Sequence, residues 1–457
     1  MRGRRQPKRW NLEQAERELE KIEGGWLNPQ QRKAVEVLQK ESLQGDHFLL
    51  PVVEGPPGTG KTSTGAAAVV KKLIALNQSG AAGRYLVLCY THVACLRFKD
   101  VLESLGVQPP DAVYLKPSFS GTPQLDPDRG IVSCDPYLRG LPAHQIRWLR
   151  RRPVLITTLL GVRRALSVLA SRRIYFMIDE FSQVNKADFF ACVDQVRGNA
   201  PYQYSLLGDP HQLPIVTTQT HLRPNIFEWL EPRGVKPVQL VKQYRMHKDI
   251  CSAVNKMREV FHSYPLESAE NVKERNLTAM GYEWRPPQDP WMKKVLDPDS
   301  PLVLVDTSKL GYEEVRAGSI FFSREAELAA RIALAAAQSY HKDGAPLLPK
   351  ILTPYNGQRD KIAGFLPPAL RGEVMTIYKA QGAEYPFVII SFVRSNLNRF
   401  VGFLHESMLQ QQVYVGCSRA QAKLVVLMSF DTFVEGRHGM FVALHDTPQA
   451  VRVEAKP

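Results

Sequence analysis

The sequence has no run of 18 or more apolar residues, so no stretch of it reads as a membrane-crossing helix and no membrane partner is expected. Its basic amino terminus is not followed by an apolar segment, so it does not read as a secretory leader. Cysteine is scarce. The six residues Cys89, Cys95, Cys134, Cys192, Cys251 and Cys417 form no C-x-x-C and have no paired histidines beside them. That argues against a zinc framework or a disulfide scaffold and fits reduced thiols in an intracellular protein, cytoplasmic or nuclear. Acid is the minority charge: 45 Asp and Glu against 59 Lys and Arg give a net charge of +14 and a pI near 9.4. A basic chain is a candidate for a polyanionic partner. At 457 residues and 44% hydrophobic it can bury sizeable cores, with two to four domains as the expected range.

The most informative stretch is Val52 to Thr64, V-V-E-G-P-P-G-T-G-K-T-S-T. An apolar β-branched run stops at Glu54, a glycine-rich loop turns from Gly55 to Gly60, and Lys61-Thr62 opens an Ala/Val-rich helix. The pattern G-x-x-x-x-G-K-T is complete, with strand and helix flanks in the required order. Glycines let several N–H groups curl toward a triphosphate, Lys61 adds a cation at the β and γ phosphates, and Thr62 offers a hydroxyl to Mg²⁺. Gly58, Thr59, Gly60, Lys61, Thr62 and Ser63 are therefore expected to bind nucleotide.

Upstream, residues 1–10 carry five Arg or Lys and no acid; they read as a basic arm that touches nucleic acid, serves as a nuclear signal, or is simply solvated. Asn11 to Glu23 reads as a short charged helix. Gln31, just ahead of the P-loop, has the amide that can both donate to and accept from adenine. Downstream, Arg84–Tyr90 and Pro153–Thr158 read as buried parallel strands, and the proline-rich residues between about 107 and 150 as an insertion leaving through Arg147, Arg150, Arg151 and Arg152. Arg173 to Gln183 is an apolar strand ending in Asp179-Glu180, the place where an open α/β sheet binds its ligand. Asp179 would hold Mg²⁺ and Glu180 would polarise the attacking water. Gln212, in the polar tip after a third strand, is placed to sense the γ-phosphate; Tyr244 and Arg245 are a candidate adenine stacker and arginine finger.

Residues 262–300 read as irregular structure crossing between domains. From Pro301 onward a second set of buried-strand runs appears, at 301–306, 350–355, 373–378, 387–392 and 424–428, which describes a second parallel α/β unit with no P-loop of its own. Two such units suggest ATP in the cleft between them. Arg419 would then be a second cation at the γ-phosphate.

Taken together, the motifs resemble those of superfamily 1 helicases of the up-frameshift type, the 5′-to-3′ branch that is related to nidovirus-type viral helicases. L-N-P-Q-Q, G-P-P-G-T-G-K-T, L-C-Y-T-H, D-E-F-S, G-D-P-H-Q-L-P, Q-Y-R-M-H, T-P-Y-N-G-Q, T-I-Y-K-A-Q-G-A-E and V-G-C-S-R-A occur in the family's order over about residues 27–430. The resemblance implies two tandem RecA-like domains clamping ATP, with the insertion in the first domain. The expected layout is a basic arm and short helix at 1–26, a first RecA-like domain at 27–235, a second at 236–448 and a tail at 449–457. It implies ATP hydrolysis with Mg²⁺ held by Thr62 and Asp179, catalytic roles for Lys61, Asp179, Glu180, Gln212, Arg245 and Arg419, adenine held by Gln31 and Tyr244, and ribose by Glu384. Thr91, Thr157, Thr353 and Thr376 would touch the backbone of a single RNA or DNA strand. A monomer is expected, with a regulatory protein partner as a further possibility. The sequence departs from the family at Tyr378, at Tyr414 and in the L-C-Y-T-H segment. The zinc domain and β-barrel that up-frameshift proteins carry ahead of this point are not expected in the 26 residues before Leu27. Two other readings stay open: an ATP-controlled single-strand clamp or ribonucleoprotein remodeller without unwinding, and a viral replicative helicase.

Overall fold

The computed structural model describes residues 12–21, 27–40, 43–44, 47–81, 83–118, 124–134, 141–166, 168–169, 173–196, 203–215, 217, 219–316, 318–405 and 410–456. The basic arm at 1–10 lies outside them. By its contacts the chain divides into two units. The first holds residues 1–56, 60–210 and 215–240; the second holds 57–59, 211–214 and 241–457. No helix among the described residues is long and apolar enough to cross a membrane.

The first unit is built on nine strands: β1 (Val52–Glu54), β2 (Gly83–Cys89), β3 (Ala112–Pro117), β4 (Gln124–Asp126), β5 (Ile131–Cys134), β6 (Val154–Thr158), β7 (Arg173–Ile178), β8 (Gln203–Gly208) and β9 (Val238–Gln239), in the spatial order β9-β1-β8-β7-β2-β6-β3-β5-β4. Every neighbouring pair is parallel except β4 with β5. Both faces are buried, which is why the strands read as unbroken apolar runs. Along β2, Tyr85, Val87 and Cys89 face one core, and Leu86 and Leu88 face the other. On the first face lie helices α1 (Leu12–Lys21), α2 (Pro29–Leu38), α3 (Lys61–Gln78) and α4 (His92–Ser104). Gly65 of α3 lets that helix settle on the sheet: a Cβ there would sit 2.8 Å from Leu207 Cδ2. Within the described part of the proline-rich segment, β3, β5 and β4 extend the main sheet through the pairing of β3 with β6.

The second unit carries a fully parallel six-stranded sheet: β10 (Leu302–Asp306), β11 (Lys350–Thr353), β12 (Val374–Thr376), β13 (Tyr385–Ser391), β14 (Ala420–Met428) and β15 (Val451–Glu454), in the order β12-β11-β13-β14-β10-β15. Helices α5 (Lys248–Val260), α6 (Ser323–Ser339), α7 (Asn356–Phe365) and α8 (Gln411–Cys417) pack on its two faces. The tandem parallel α/β architecture is the expected one. Two segments differ from expectation. The tail supplies edge strand β15, where Val453 and Ala455 are buried through a short period-2 pattern. Residues 262–300, expected to be irregular, include a helix at Pro290–Leu296, capped by Asp289, whose Trp291 donates to Glu454 O at 2.7 Å.

A buried carboxylate ties the carboxyl ends of β10 and β13 to α6. Glu325, fully buried, accepts from Thr307 Oγ1 at 2.8 Å, Ser391 Oγ at 2.6 Å and the Val393 N–H at 2.9 Å. That last bond holds Val393 at φ 76°, an unfavourable region for a β-branched residue. Burial, opposed by those hydrogen bonds and aided by the charge of Glu313, pushes the Glu325 carboxyl from 4.5 up to about 7. The folded state thus binds a proton that the unfolded chain has already lost. Its stabilising effect is complete below pH 4.5 and is lost as pH rises to about 7, on the order of 3 kcal/mol in all. Glu325→Gln, which mimics the protonated acid, is expected to remove this decline. Urea unfolding of both proteins across that pH range should show the variant gaining on the parent as pH rises; a constant difference would refute the assignment.

Candidate active site

In the first unit the carboxyl ends of β1, β8, β7 and β2 lie along one edge, with Glu54 beside Gly208, Leu206 beside Ile178, and Ile178 beside Leu88. The P-loop leaves β1 as Gly55 N–H donates to Gly208 O at 2.8 Å. Gly60 then turns at φ 78° and α3 begins. Gly60 has no side chain to cap the helix, so the first-turn N–H groups are left facing outward as an anion-binding end. Lys61 is buried beside this end, Ser63 is half-buried, and Thr64 Oγ1 donates back to Gly60 O at 2.9 Å.

Asp179 follows β7 and is 2% exposed. Its N–H donates to Leu88 O at 2.8 Å, and its Oδ1 accepts from the Glu180 N–H at 2.9 Å. Thr62 Oγ1 stands 3.3 Å from Asp179 Oδ2. Burial first, then the charge of Glu180, push the Asp179 carboxyl up to about 6, against the pull of Lys61, the Glu180 N–H and Arg97. Glu180 itself turns at φ 62°, a strained geometry for a residue with a side chain. Its Oε2 is buried and has no hydrogen-bond partner among the described residues. A hydroxyl and a carboxylate oxygen side by side form the hard, oxygen-only donor set that suits Mg²⁺ shared with phosphates, so the residues fit that ion. Among the described residues no group of three or more His, Cys, Asp or Glu could hold a metal alone.

Gln31 has a structural duty as well as its expected role. It forms a capping box at the start of α2: its N–H donates to Asn28 Oδ1, and its Oε1 accepts from the Asn28 N–H, both at 2.9 Å. The amide nitrogen is thereby aimed at Gly60, where a Cβ would lie 2.7 Å from Gln31 Nε2. Two of the threonines expected to meet nucleic acid are otherwise engaged. Thr91 caps α4 by accepting from Ala94 N–H at 3.1 Å, and it is exposed. Thr157 is fully buried and donates to Leu115 O at 3.1 Å, so its hydroxyl serves the sheet.

In the second unit the loop tip Pro57–Thr59 groups with the turn at Tyr244 to Met246. Tyr244 N–H donates to Gly58 O at 2.8 Å, and a Cβ on Gly58, at φ 79°, would lie 2.7 Å from Arg245 Cβ. Thr59 is fully buried. Gln243, not singled out in the sequence, builds this turn: its Oε1 accepts from Arg245 and Met246 N–H at 2.8 and 2.7 Å. The only sign of it was its place in Q-Y-R. Arg245 Nε donates to Glu384 Oε2 at 2.7 Å and its Nη1 to Ser418 O at 3.0 Å. Arg419 is 1% exposed, with its guanidinium donating to Val415 O, Ala383 O and Ser418 Oγ. Arg245, Glu384 and the Ser418-Arg419 turn are thus brought together. Gln212 is buried next to His211, whose ring stacks on Phe261 at 4.6 Å and 7°. Thr353 and Thr376 are register partners at the carboxyl ends of β11 and β12; Thr353 is buried and Thr376 half-buried.

Comparison with known proteins adds the following. Residues 37–218 match one AAA domain family and residues 222–430 match another. A Mus musculus protein named DNA replication ATP-dependent helicase/nuclease DNA2 is 28% identical over 425 residues, covering 88% of this chain and 37% of that protein. An Arabidopsis thaliana Regulator of nonsense transcripts 1 homolog is 26% identical over 445 residues, covering 88% of this chain and 32% of its own. The chain therefore spans about a third of these relatives' lengths. A solved structure of arterivirus nonstructural protein 10 (helicase) with DNA aligns at TM-score 0.43 and 16% identity, over 88% of this chain and 63% of that one.

Gly60→Ala is expected to weaken nucleotide binding roughly ten-fold, since the left-handed backbone alone costs about 1–2 kcal/mol and the new methyl displaces Gln31. Titration with a fluorescent ATP analogue measures it. Gly80→Ala, also left-handed but with nothing within 4 Å of its Cβ, should leave the affinity unchanged.

Proposed function

Because the chain belongs to the superfamily 1 helicases of the up-frameshift-like branch, we propose that it hydrolyses ATP to move 5′-to-3′ along single-stranded RNA or DNA. The observation that carries the hydrolysis is the first-unit constellation: Thr62 Oγ1 at 3.3 Å from the Asp179 carboxylate, beside a Glu180 oxygen that is buried and unsatisfied among the described residues.

In this reading the outward N–H groups at the start of α3 and the Lys61 ammonium hold the phosphates. Thr62 and Asp179 hold Mg²⁺, which when bound neutralises phosphate charge. Glu180 Oε2 accepts a hydrogen bond from the attacking water and draws off its proton. Gln212 orients that water, and Arg245 and Arg419 supply positive charge where it develops in the transition state. Gln31 and Tyr244 select adenine and Glu384 holds the ribose. Thr91, Thr353 and Thr376 lie near the track of the strand, whereas the role of Thr157 is to shape the sheet edge beneath it. An intracellular setting accords with six cysteines that are all free and buried.

Glu180→Gln is expected to lower nucleic-acid-stimulated ATPase by at least ~10²-fold while leaving nucleotide affinity near that of the parent, and Lys61→Ala to lose both. Steady-state ATPase with matched RNA and DNA oligomers, at stated salt, together with nucleotide titration, decides the matter. Parental turnover by Glu180→Gln would sink the assignment. A tailed-duplex displacement assay then separates unwinding from translocation alone.

A further inference from the structure

The run Ala143–Arg152 is not used by the site above. Its short helix, Ala143–Leu149, is held to the first unit's core by Leu149, which is fully buried, and by Ile146 and Trp148, which pack against the same cluster. The chain then turns tightly, with Arg150, Arg151 and Arg152 N–H groups donating to Ile146, Trp148 and Leu149 carbonyls at 3.0, 3.1 and 3.0 Å. Arg152 is the anchored member: its guanidinium lies 4.7 Å over the Trp148 ring, its Nε donates to Trp148 O, and it pairs with Asp111 at 3.6 Å. His144, Arg147, Arg150 and Arg151 are exposed, and among the described residues none of these three arginines has an acidic partner. Like charges this close repel one another, and a fold that needed only solubility would intersperse acids. A cluster of arginine forks on a backbone turn held in place, without acids beside it, suits oxygen anions.

Its position separates it from the strand track. Arg152 stands two residues ahead of β6, and Val154 N–H reaches back to Asp111 O at 3.2 Å, so the cluster sits at the amino ends of β6 and β3. Asp179, Thr91 and Thr158 sit at the carboxyl ends of the neighbouring strands. One strand length, about 16 Å at 3.3 Å per residue, lies between them. A nucleic-acid strand crossing the carboxyl ends does not touch these arginines.

We propose that Arg147, Arg150 and Arg151 form a second binding site for the phosphate backbone of a nucleic acid, gripping a part of the substrate outside the strand track. The proposal rests on the reading that the substrate is a nucleic acid. The test compares the full chain with its Arg147→Gln/Arg150→Gln/Arg151→Gln variant, by fluorescence anisotropy on oligomers of about 10 and about 30 nucleotides over a salt series. The glutamine variant should bind the longer oligomer about ten-fold more weakly at low salt, and its plot of log affinity against log salt should flatten by about 2 for three lost phosphate contacts. Binding of the shorter oligomer and unstimulated ATPase should be unchanged, and the Arg147→Lys/Arg150→Lys/Arg151→Lys variant should behave as the parent. Equal binding of the longer oligomer by parent and glutamine variant overturns the proposal, as does an equal loss on both lengths. Polyglutamate displaced from the parent but not held by the glutamine variant, with oligomer binding unaffected, would assign the patch to acidic protein segments and also overturn it. If the parent binds neither oligomer, the nucleic-acid reading itself falls.

Discussion

Burying a carboxylate beside a second carboxylate is the constraint on which the first unit turns. Asp179 is out of water and next to Glu180, both of which favour its protonated form, while Lys61, a backbone N–H and Arg97 pull the other way. Each of these has to be delivered from a different element. Lys61 comes from the start of α3, which requires the left-handed turn at Gly60. Arg97 comes from α4, whose start is fixed by the Thr91 cap. The N–H comes from a residue held at positive φ. The parallel sheet makes this delivery possible, since consecutive parallel strands end on the same edge and their following loops converge there. Removing the neighbours would neutralise the carboxyl by protonation, because an unpaired buried charge costs several kcal/mol.

The second unit solves a similar problem for a different purpose. Glu325 also lies at the carboxyl ends of parallel strands, but among the described residues no cation is bonded to it. Two hydroxyls and one N–H satisfy it, and Gln358 extends the network by donating to Ser391 Oγ at 2.8 Å. A carboxyl satisfied by neutral donors in an apolar surrounding keeps its proton more readily than one held by cations. The two groups thus share an address in the fold and differ in chemistry, one poised to meet a cation and the other to clamp a loop.

Much of this was legible in the sequence because parallel strands buried on both faces leave long apolar runs, and a P-loop can be built by few residue types. β2, β6, β7, β8, β10, β11, β13 and β14 all follow from such runs. The strands β3, β4, β5 and β15 did not, being short and flanked by prolines or polar residues, and formed by pairing with an existing sheet edge rather than by their own pattern. Side-chain duty was less legible still. Thr157 is at the expected place on β6, yet strand alternation turns it inward to Leu115 O. The amide chemistry of Gln31 is visible in the sequence, but the capping box that orients the amide depends on Asn28 three residues earlier. Gln243 and Phe261 carry no signal of their own, because holding a turn or stacking on a neighbour uses residue types that are common everywhere.

The second unit's arginines show what a static motif leaves out. Arg419 has exchanged water for two carbonyls and a hydroxyl, and Arg245 has done so for Glu384 and a carbonyl. A buried guanidinium is tolerable only while such acceptors surround it. If these forks take an anion, as proposed above, it must enter by substitution, breaking bonds to Ala383 O, Ser418 O or Glu384 as new ones form. The net gain is the difference between two sets of charge-assisted bonds, far smaller than either set. A small difference of this kind makes a reversible switch, because the ligand then shifts the equilibrium between two arrangements by its differential affinity alone. Glu384 has a particular part in it. Its carboxylate accepts from Arg245 and would need compensation if that fork moved, and Gln421, 3.0 Å from its other oxygen, is a donor already in place.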